Sequence, residues 1–282
     1  MNTPSPPIPQ PSPQERSAVV WEQSVVPAWE ARLAPDMIAA MELPEEGSVL
    51  VAECRTGYVP LELLKRLPER TRCVAIEPGR DMLDLARLKA GEDPDRRIWW
   101  DAKSIDQLKY RNGVFGASIC AAGILTKDDV NLVAGELARL TQTGGPIGLV
   151  VPLRNMFAEF YDLYREALVA MDHLELEPML DAYIDELFDA EALRIDLAAA
   201  GVRDAEIHTV RFMLPFESGQ DFLLSPLVES LHLPLWLRLC PDDNIMQAIL
   251  TYVLGAMDRY YDGLGLELTA EAAWVIGYSA RG

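Results

Sequence analysis

The sequence predicts a doubly wound α/β fold, and three observations predict it. Short apolar, β-branched runs alternate with segments of helical spacing through the first half of the chain. The first of these runs ends in a turn that holds a single glycine, Gly57. Two later runs, at 205–216 and 271–280, are separated by a long helical stretch rather than by one crossover helix. Strands apolar on both faces and separated by helices are what a parallel sheet covered on both sides requires.

Residues 1–16, MNTPSPPIPQPSPQER, are proline-rich with almost nothing to bury. They read as a disordered, partly polyproline II tail, or as a docking peptide for a proline-binding partner, ahead of a domain over 17–282. From Val19 to Met41 apolar residues recur at helical spacing, interrupted by Pro27 and Pro35, which predicts one kinked helix or two short ones. SVLVAE at 48–53 is the first buried strand, and 59–67 a helix with Pro60 in its first turn, where the missing N–H does no harm. RCVAIE at 72–77 and RIWWD at 97–101 are the second and third strands, with a helix over 80–90 between them. Alternation along the third strand places Trp99 and Trp100 on opposite faces, as core beneath helices, with stacking on an adenine as the alternative. The fourth strand is expected over 114–122. Thr126-x-x-Asp129 is a capping box that opens the next helix, which runs to Leu140 ahead of Gly144-Gly145 and a fifth strand at 146–152. Beyond it the spacing predicts helical insertions at about 156–190 and 221–262, with Asp189 as an N-cap and Gly201 as the stop of a helix between the first insertion and the sixth strand.

Composition narrows the function classes. With 282 residues, 50% of them hydrophobic and 24% charged, the chain can bury a large core. A formal net charge of −19 repels phosphate backbones and anionic bilayers, which argues against nucleic acid and membrane surfaces as partners. Four scattered cysteines without a C-x-x-C pair, and three unpartnered histidines, suggest neither a zinc site nor a disulfide framework and fit a reducing cytoplasm. No uninterrupted apolar run approaches the roughly 20 residues needed to span a bilayer, and no signal-peptide pattern opens the sequence, so a soluble, unexported protein is expected.

The order of elements from about Val19 onward resembles the class I S-adenosylmethionine-dependent methyltransferases, and several stations match by residue and spacing. VAECRTG at 51–57 occupies the place of the family's D-x-G-x-G-x-G-like loop, which passes under the methionine part of the cofactor. Glu77, 20 residues after Gly57, stands where the family's second strand ends in an acid that binds both ribose hydroxyls. Asp101-Ala102 resembles the adenine-contacting pair that ends the third strand. TGGPIGLVVP and LAAAGVRDAEI resemble the family's entries into strands five and six. The resemblance implies a Rossmann-like, mostly parallel seven-stranded sheet with an antiparallel last strand and a helical insertion.

The first loop departs from the family pattern. Val51 stands at the family's acidic position, Glu53 at its first glycine and Arg55 at its second. Glycine serves there because it tolerates a left-handed backbone and lets the chain approach the ligand without a β-carbon. Two readings follow. Glu53 and Arg55 receive the ammonium and carboxylate of the cofactor's amino-acid end, or they pair with each other and fill the vacated pocket. For Glu77 and Asp101 the alternative is that each caps the helix that follows it.

The loop after the fourth strand, CAAGILTKDD, carries no N-P-P-Y-like motif and no evident general base, so no catalytic residue is assigned. Cys54 and Cys120 read as small buried hydrophobes. The segment from Leu223 to Tyr261 has more large apolar residues than one helix face needs. It is a lid over an acceptor, a patch for a protein partner or a second copy, or core against the sheet edge. Two functions stand open. The altered loop favours a non-catalytic relative acting through protein–protein interaction or regulation. The alternative is an active methyltransferase on a small-molecule or protein acceptor, with S-adenosylmethionine held by Glu77, Asp101 and the altered loop.

Overall fold

A computed structural model of the chain describes residues 13–91, 97–122, 126–261 and 265–280. Most of the expected tail, 1–12, lies outside the described residues, and a helix, Pro13–Val20, begins within the stretch read as tail. It continues without a break through a π-helical segment, Trp21–Glu30, into Ala31–Ala40. Pro27 falls inside the wider π turns and Pro35 inside the last segment. A local change of helical pitch is one way a helix absorbs a residue that cannot donate to the preceding turn.

Seven strands follow: β1 Glu46–Ala52, β2 Arg70–Ile76, β3 Ile98–Asp101, β4 Ala117–Cys120, β5 Pro146–Pro152, β6 Val202–Phe216 and β7 Leu266–Ser279. They form one sheet in the order β3-β2-β1-β4-β5-β7-β6, with β7 antiparallel to both neighbours and the other pairs parallel. This is the expected topology, antiparallel last strand included. Strand order reverses between β1 and β4, and the carboxyl ends beside such a reversal leave a crevice where ligands of open α/β sheets bind.

Alternation along β1 shows how both faces are covered. Val49 and Val51 face a core with Leu33, Met37, Val59 and Leu63 from the N-terminal helix and the helix Tyr58–Leu64. Leu50 and Ala52 face the opposite core, with Val130, Leu137, Leu193 and Leu197. The Thr126–Asp129 capping box forms reciprocally, Asp189 caps its helix through Glu191 and Ala192 N–H groups, and Gly201 ends that helix at φ 97°.

Three expectations need correction. β4 is confined to Ala117–Cys120, because Phe115 bridges to Thr141 and Gly116 donates its N–H to Ser48 instead of extending the ladder. β7 starts five residues before the expected 271, since Glu267 and Thr269 interrupt its first residues, which lack the continuous apolar run that marks the rest. Trp99 is not core: it is 67% exposed, because β3 is a sheet edge and the link to β4 carries only a short 3-10 turn, Ile105–Gln107, to cover it. Trp100, on the other face, packs where expected.

The insertion after β6 packs on the helix Ala158–Ala170. Trp236 stacks on Phe160 with centroids 3.9 Å apart, and Tyr252 donates to Glu166 at 2.7 Å. Met246, Ile249, Val253 and Met257 of the helix Asp243–Tyr260 are buried within the chain, while Leu224, Leu237 and Tyr260 stay exposed. Among the described residues no helix is long and apolar enough to cross a membrane.

Candidate functional site

β1 ends at Ala52, and the next five residues carry the altered loop. Cys54 donates its N–H to the Ile76 carbonyl at 3.0 Å, which ties the loop to the end of β2. Gly57 donates to the Cys54 carbonyl at 2.8 Å and opens the helix Tyr58–Leu64. Three alternate residues take the left-handed conformation: Glu53 at φ 49°, Arg55 at 48° and Gly57 at 82°. Gly57 is required twice over, since a β-carbon there would stand 2.7 Å from the Ala86 β-carbon and 3.1 Å from the Trp100 ring. Glu53 and Arg55 thus keep the backbone that suits glycine without being glycine, at a cost of roughly 1–2 kcal/mol each.

Their side chains converge on Glu77, which follows β2 and is 1% exposed. Glu77 Oε2 accepts the Arg55 backbone N–H at 3.1 Å, and Oε1 accepts the Gly79 N–H at 2.8 Å. The Arg55 guanidinium lies 3.7 Å from Glu77 Oε1 and 3.5 Å from Glu53 Oε2, and it covers the Trp21 ring at 5.2 Å. The Arg55 Nε is buried without a hydrogen-bond acceptor. Burial raises the Glu53 carboxyl; Arg55 opposes the rise, and Glu77, Asp106 and Asp129 add to it.

A second tier of groups comes from the N-terminal helix. Glu22 Oε2 accepts from the Thr56 hydroxyl and from Lys89 Nζ, both at 2.6 Å, while Lys89 also donates to the Thr56 carbonyl at 2.9 Å. Trp21 Nε1 donates to the buried Glu30 at 2.8 Å. Burial pushes the Glu30 carboxyl up to about 7, against the opposing Trp21 bond and the charges of Arg55 and Lys89. Sequence reasoning counted Trp21 only among the apolar residues at helical spacing and passed over Glu22, Glu30 and Lys89. Only the helical spacing of 19–41 was visible, and nothing in it signals which acid turns inward.

The other expected site residues lie beside this cluster. Asp101 is paired with Ile76 in the β2–β3 register, and its carbonyl accepts the Glu77 N–H at 3.1 Å. Its carboxylate binds Lys103 at 2.8 Å rather than joining Glu53, Arg55 and Glu77. Ala102 follows, exposed. The capping alternative holds in part for Glu77, whose Oε1 bonds Gly79, the N-cap of Arg80–Ala90. The Glu53–Arg55 pair expected in one reading is present, and Arg55 reaches Glu77 as well. All four cysteines are buried; burial pushes the Cys73 and Cys120 thiols up to about 12 and raises Cys54 well above its usual value.

Beyond the carboxyl end of β4 lies a cavity of about 480 Å³. Thr126, Lys127, Tyr183, Leu235, Arg238 and Leu239 are among its walls. Residues 123–125 of the loop after β4 lie outside the described residues.

No family model matches the chain. Over 124 residues it is 27% identical to the ubiquinone/menaquinone biosynthesis C-methyltransferase UbiE of Geobacter sp. (strain M21), a match covering 42% of this chain and 52% of that protein. The chain thus spans about half the length of that curated relative. Among solved structures it is similar to the YcgJ protein of Bacillus subtilis, with a TM-score of 0.56 at 15% identity, over 88% of this chain and 98% of that one. It is also similar to phosphoethanolamine N-methyltransferase 2 of Haemonchus contortus, solved with phosphomonomethylethanolamine and S-adenosylhomocysteine. There the TM-score is 0.53 at 9% identity, over 95% of this chain and 58% of that one. Together with the strand order, these likenesses show the Rossmann-like fold of class I S-adenosylmethionine-dependent methyltransferases.

Proposed function

We propose that the chain is an S-adenosylmethionine-dependent methyltransferase that takes its cofactor over the loop Glu53–Gly57 and its acceptor, a small molecule, in the cavity beyond β4. The observation that carries this reading is the left-handed backbone at 53, 55 and 57, kept although two of the three residues are not glycine. Strain of that kind persists where the surrounding structure fixes it, and it clusters at ligand sites. A loop that had merely decayed would relax.

The residues present fit the group. Each Glu77 oxygen accepts one backbone N–H, and a carboxylate offers about four acceptor positions, so two stay open for a vicinal diol. Glu53 is a desolvated carboxylate suited to an ammonium, and the buried Arg55 Nε–H is a donor in want of an anion. Asp101 stands on the adjoining strand end, within the same crevice edge. S-adenosylmethionine, when bound, supplies an electrophilic methyl group on sulfur. The chain's task is then to hold donor and acceptor in line and to exclude water, which supports transfer through orientation. The cavity of about 480 Å³ falls in the size range of small-molecule sites, and its walls mix Met179, Leu187, Leu235 and Leu239 with the charged Lys127, Asp128, Glu186 and Arg238.

One observation favours the second reading, a non-catalytic relative working through a protein partner or a second copy at Leu223–Tyr261. Arg55 lies 3.7 Å from Glu77, which is 1% exposed. Calorimetric titration with S-adenosylhomocysteine at up to millimolar ligand separates the two. Saturable binding that Glu77→Ala abolishes supports the enzyme; no heat from the wild-type chain supports the closed pocket.

A further inference from the structure

Resting on the cofactor reading above, we propose that Arg55 is an exchange gate. It keeps Glu77 closed to a bare nucleoside and releases it to a nucleoside that brings its own carboxylate.

The hydrogen-bond inventory of the two side chains carries this. Both Glu77 oxygens are tied to backbone donors, so the carboxylate is fixed, and the Arg55 guanidinium stands 3.7 Å from Oε1, in front of a position that a bridging diol needs. A diol that binds Glu77 must stand near 2.7 Å from those oxygens, which the guanidinium at 3.7 Å does not permit. Arg55 must therefore move before a ribose can bind. Its backbone cannot follow, because its own N–H is bonded to Glu77 and its φ of 48° is set by the loop. Only the side chain is free to swing.

That side chain is held loosely. A guanidinium carries five N–H donors, and those of Arg55 make no hydrogen bond among the described residues. Its contacts are two ion pairs at 3.5 and 3.7 Å and the face of Trp21. Charge and stacking position it, while its directional bonding capacity goes unused. A ligand carboxylate matches that fork bidentately. When it arrives, the guanidinium exchanges one carboxylate for another and the ribose hydroxyls take the vacated positions on Glu77. A nucleoside without a carboxylate offers Arg55 nothing in return, so the displacement goes uncompensated. Discrimination of this sort comes from the penalty on the wrong ligand as much as from contacts to the right one.

The test is calorimetric titration of the full chain with two probes, S-adenosylhomocysteine and 5′-methylthioadenosine. The second keeps the adenine, ribose and thioether and lacks the amino-acid end. The wild type should favour S-adenosylhomocysteine by well over tenfold. Arg55→Gly, which suits the left-handed position, should bind 5′-methylthioadenosine better and shrink the preference by roughly tenfold or more, the worth of a charged hydrogen bond pair. Arg55→Lys, with charge but no fork, should retain part of the preference. If Arg55→Gly strengthens both probes by one factor, Arg55 is a plain plug and the proposal fails. If the preference stays at its wild-type value, Arg55 is a bystander and the proposal fails while the cofactor reading stands. If neither protein binds either probe, both fall together.

Discussion

Around the carboxyl ends of β1 and β2, Glu22, Glu30, Glu53, Arg55, Glu77 and Lys89 meet at one loop and the helix over it. The insertion after β6 instead packs Phe157, Phe160, Phe222 and Trp236 ring against ring, with His232 among them held neutral by burial at about 4. The first region desolvates charge, which gains little or nothing for stability unless every partner is in place. The second removes large apolar surfaces from water, the most productive source of stability a domain has. The difference teaches where to look for function. A region that is stabilised by packing needs no other explanation, whereas left-handed non-glycine residues and crowded carboxylates are features that cluster at ligand sites.

The largest effect should come from breaking the packed region. Trp236 is fully buried, stacked on Phe160, and donates from Nε1 to the Tyr161 hydroxyl at 3.4 Å. Trp236→Ala should lower stability by about 3–5 kcal/mol, read from the denaturant midpoint. Affinity for S-adenosylhomocysteine in the folded fraction should stay within about twofold. A parallel loss of affinity would mean that the two regions are one cooperative site.

A middle-sized effect separates them through pH. Burial raises Glu30 from 4.5 to about 7, so between those pH values it is neutral in the folded chain while already charged in the unfolded one. The folded state then binds the extra proton, and the Glu30 contribution is fully present below pH 4.5 and is lost as pH rises to about 7. The loss is on the order of 3 kcal/mol. Glu30→Gln keeps an acceptor for Trp21 and should remove that slope, which makes the variant more stable than the wild type at pH 8 and nearly equal to it at pH 4.5. Denaturant midpoints at both values check this.

Much of the fold was legible because it depends on local pattern. The continuous apolar runs marked all seven strands, though not the bounds of β4 and β7, and the Thr126–Asp129 box and Gly201 marked helix ends that formed as expected. Trp99 was misplaced because alternation tells which face a residue takes and not whether a helix covers that face. At the candidate site, Glu53, Arg55 and Gly57 were named from the resemblance of 51–57 to the methyltransferase first loop, and Glu77 from that resemblance together with its separation of 20 residues from Gly57; the structure brings the four together. The tier above them was hidden. Glu22 reaches Thr56 of the loop across 34 residues of chain, and Glu30 turns inward to Trp21, on a helix whose rotation about its axis depends on the π-helical segment around Pro27.

The smallest effect is the sharpest test of the comparison. Glu53→Gly removes a β-carbon from a left-handed backbone, worth roughly 1–2 kcal/mol, and returns part of that because glycine has more freedom to lose on folding. It also removes a carboxylate that burial has raised and that Glu77 and Asp129 crowd, at the expense of one ion pair with Arg55. The balance favours the variant by up to about 1 kcal/mol, a rise in Tm of about 2 °C. Such a gain would show that the wild-type loop holds strain its sequence does not need for folding. A fall in Tm would show the reverse, that the Glu53–Arg55 pair itself fixes the left-handed turn, and the charged region would then be as much a structural element as the aromatic one.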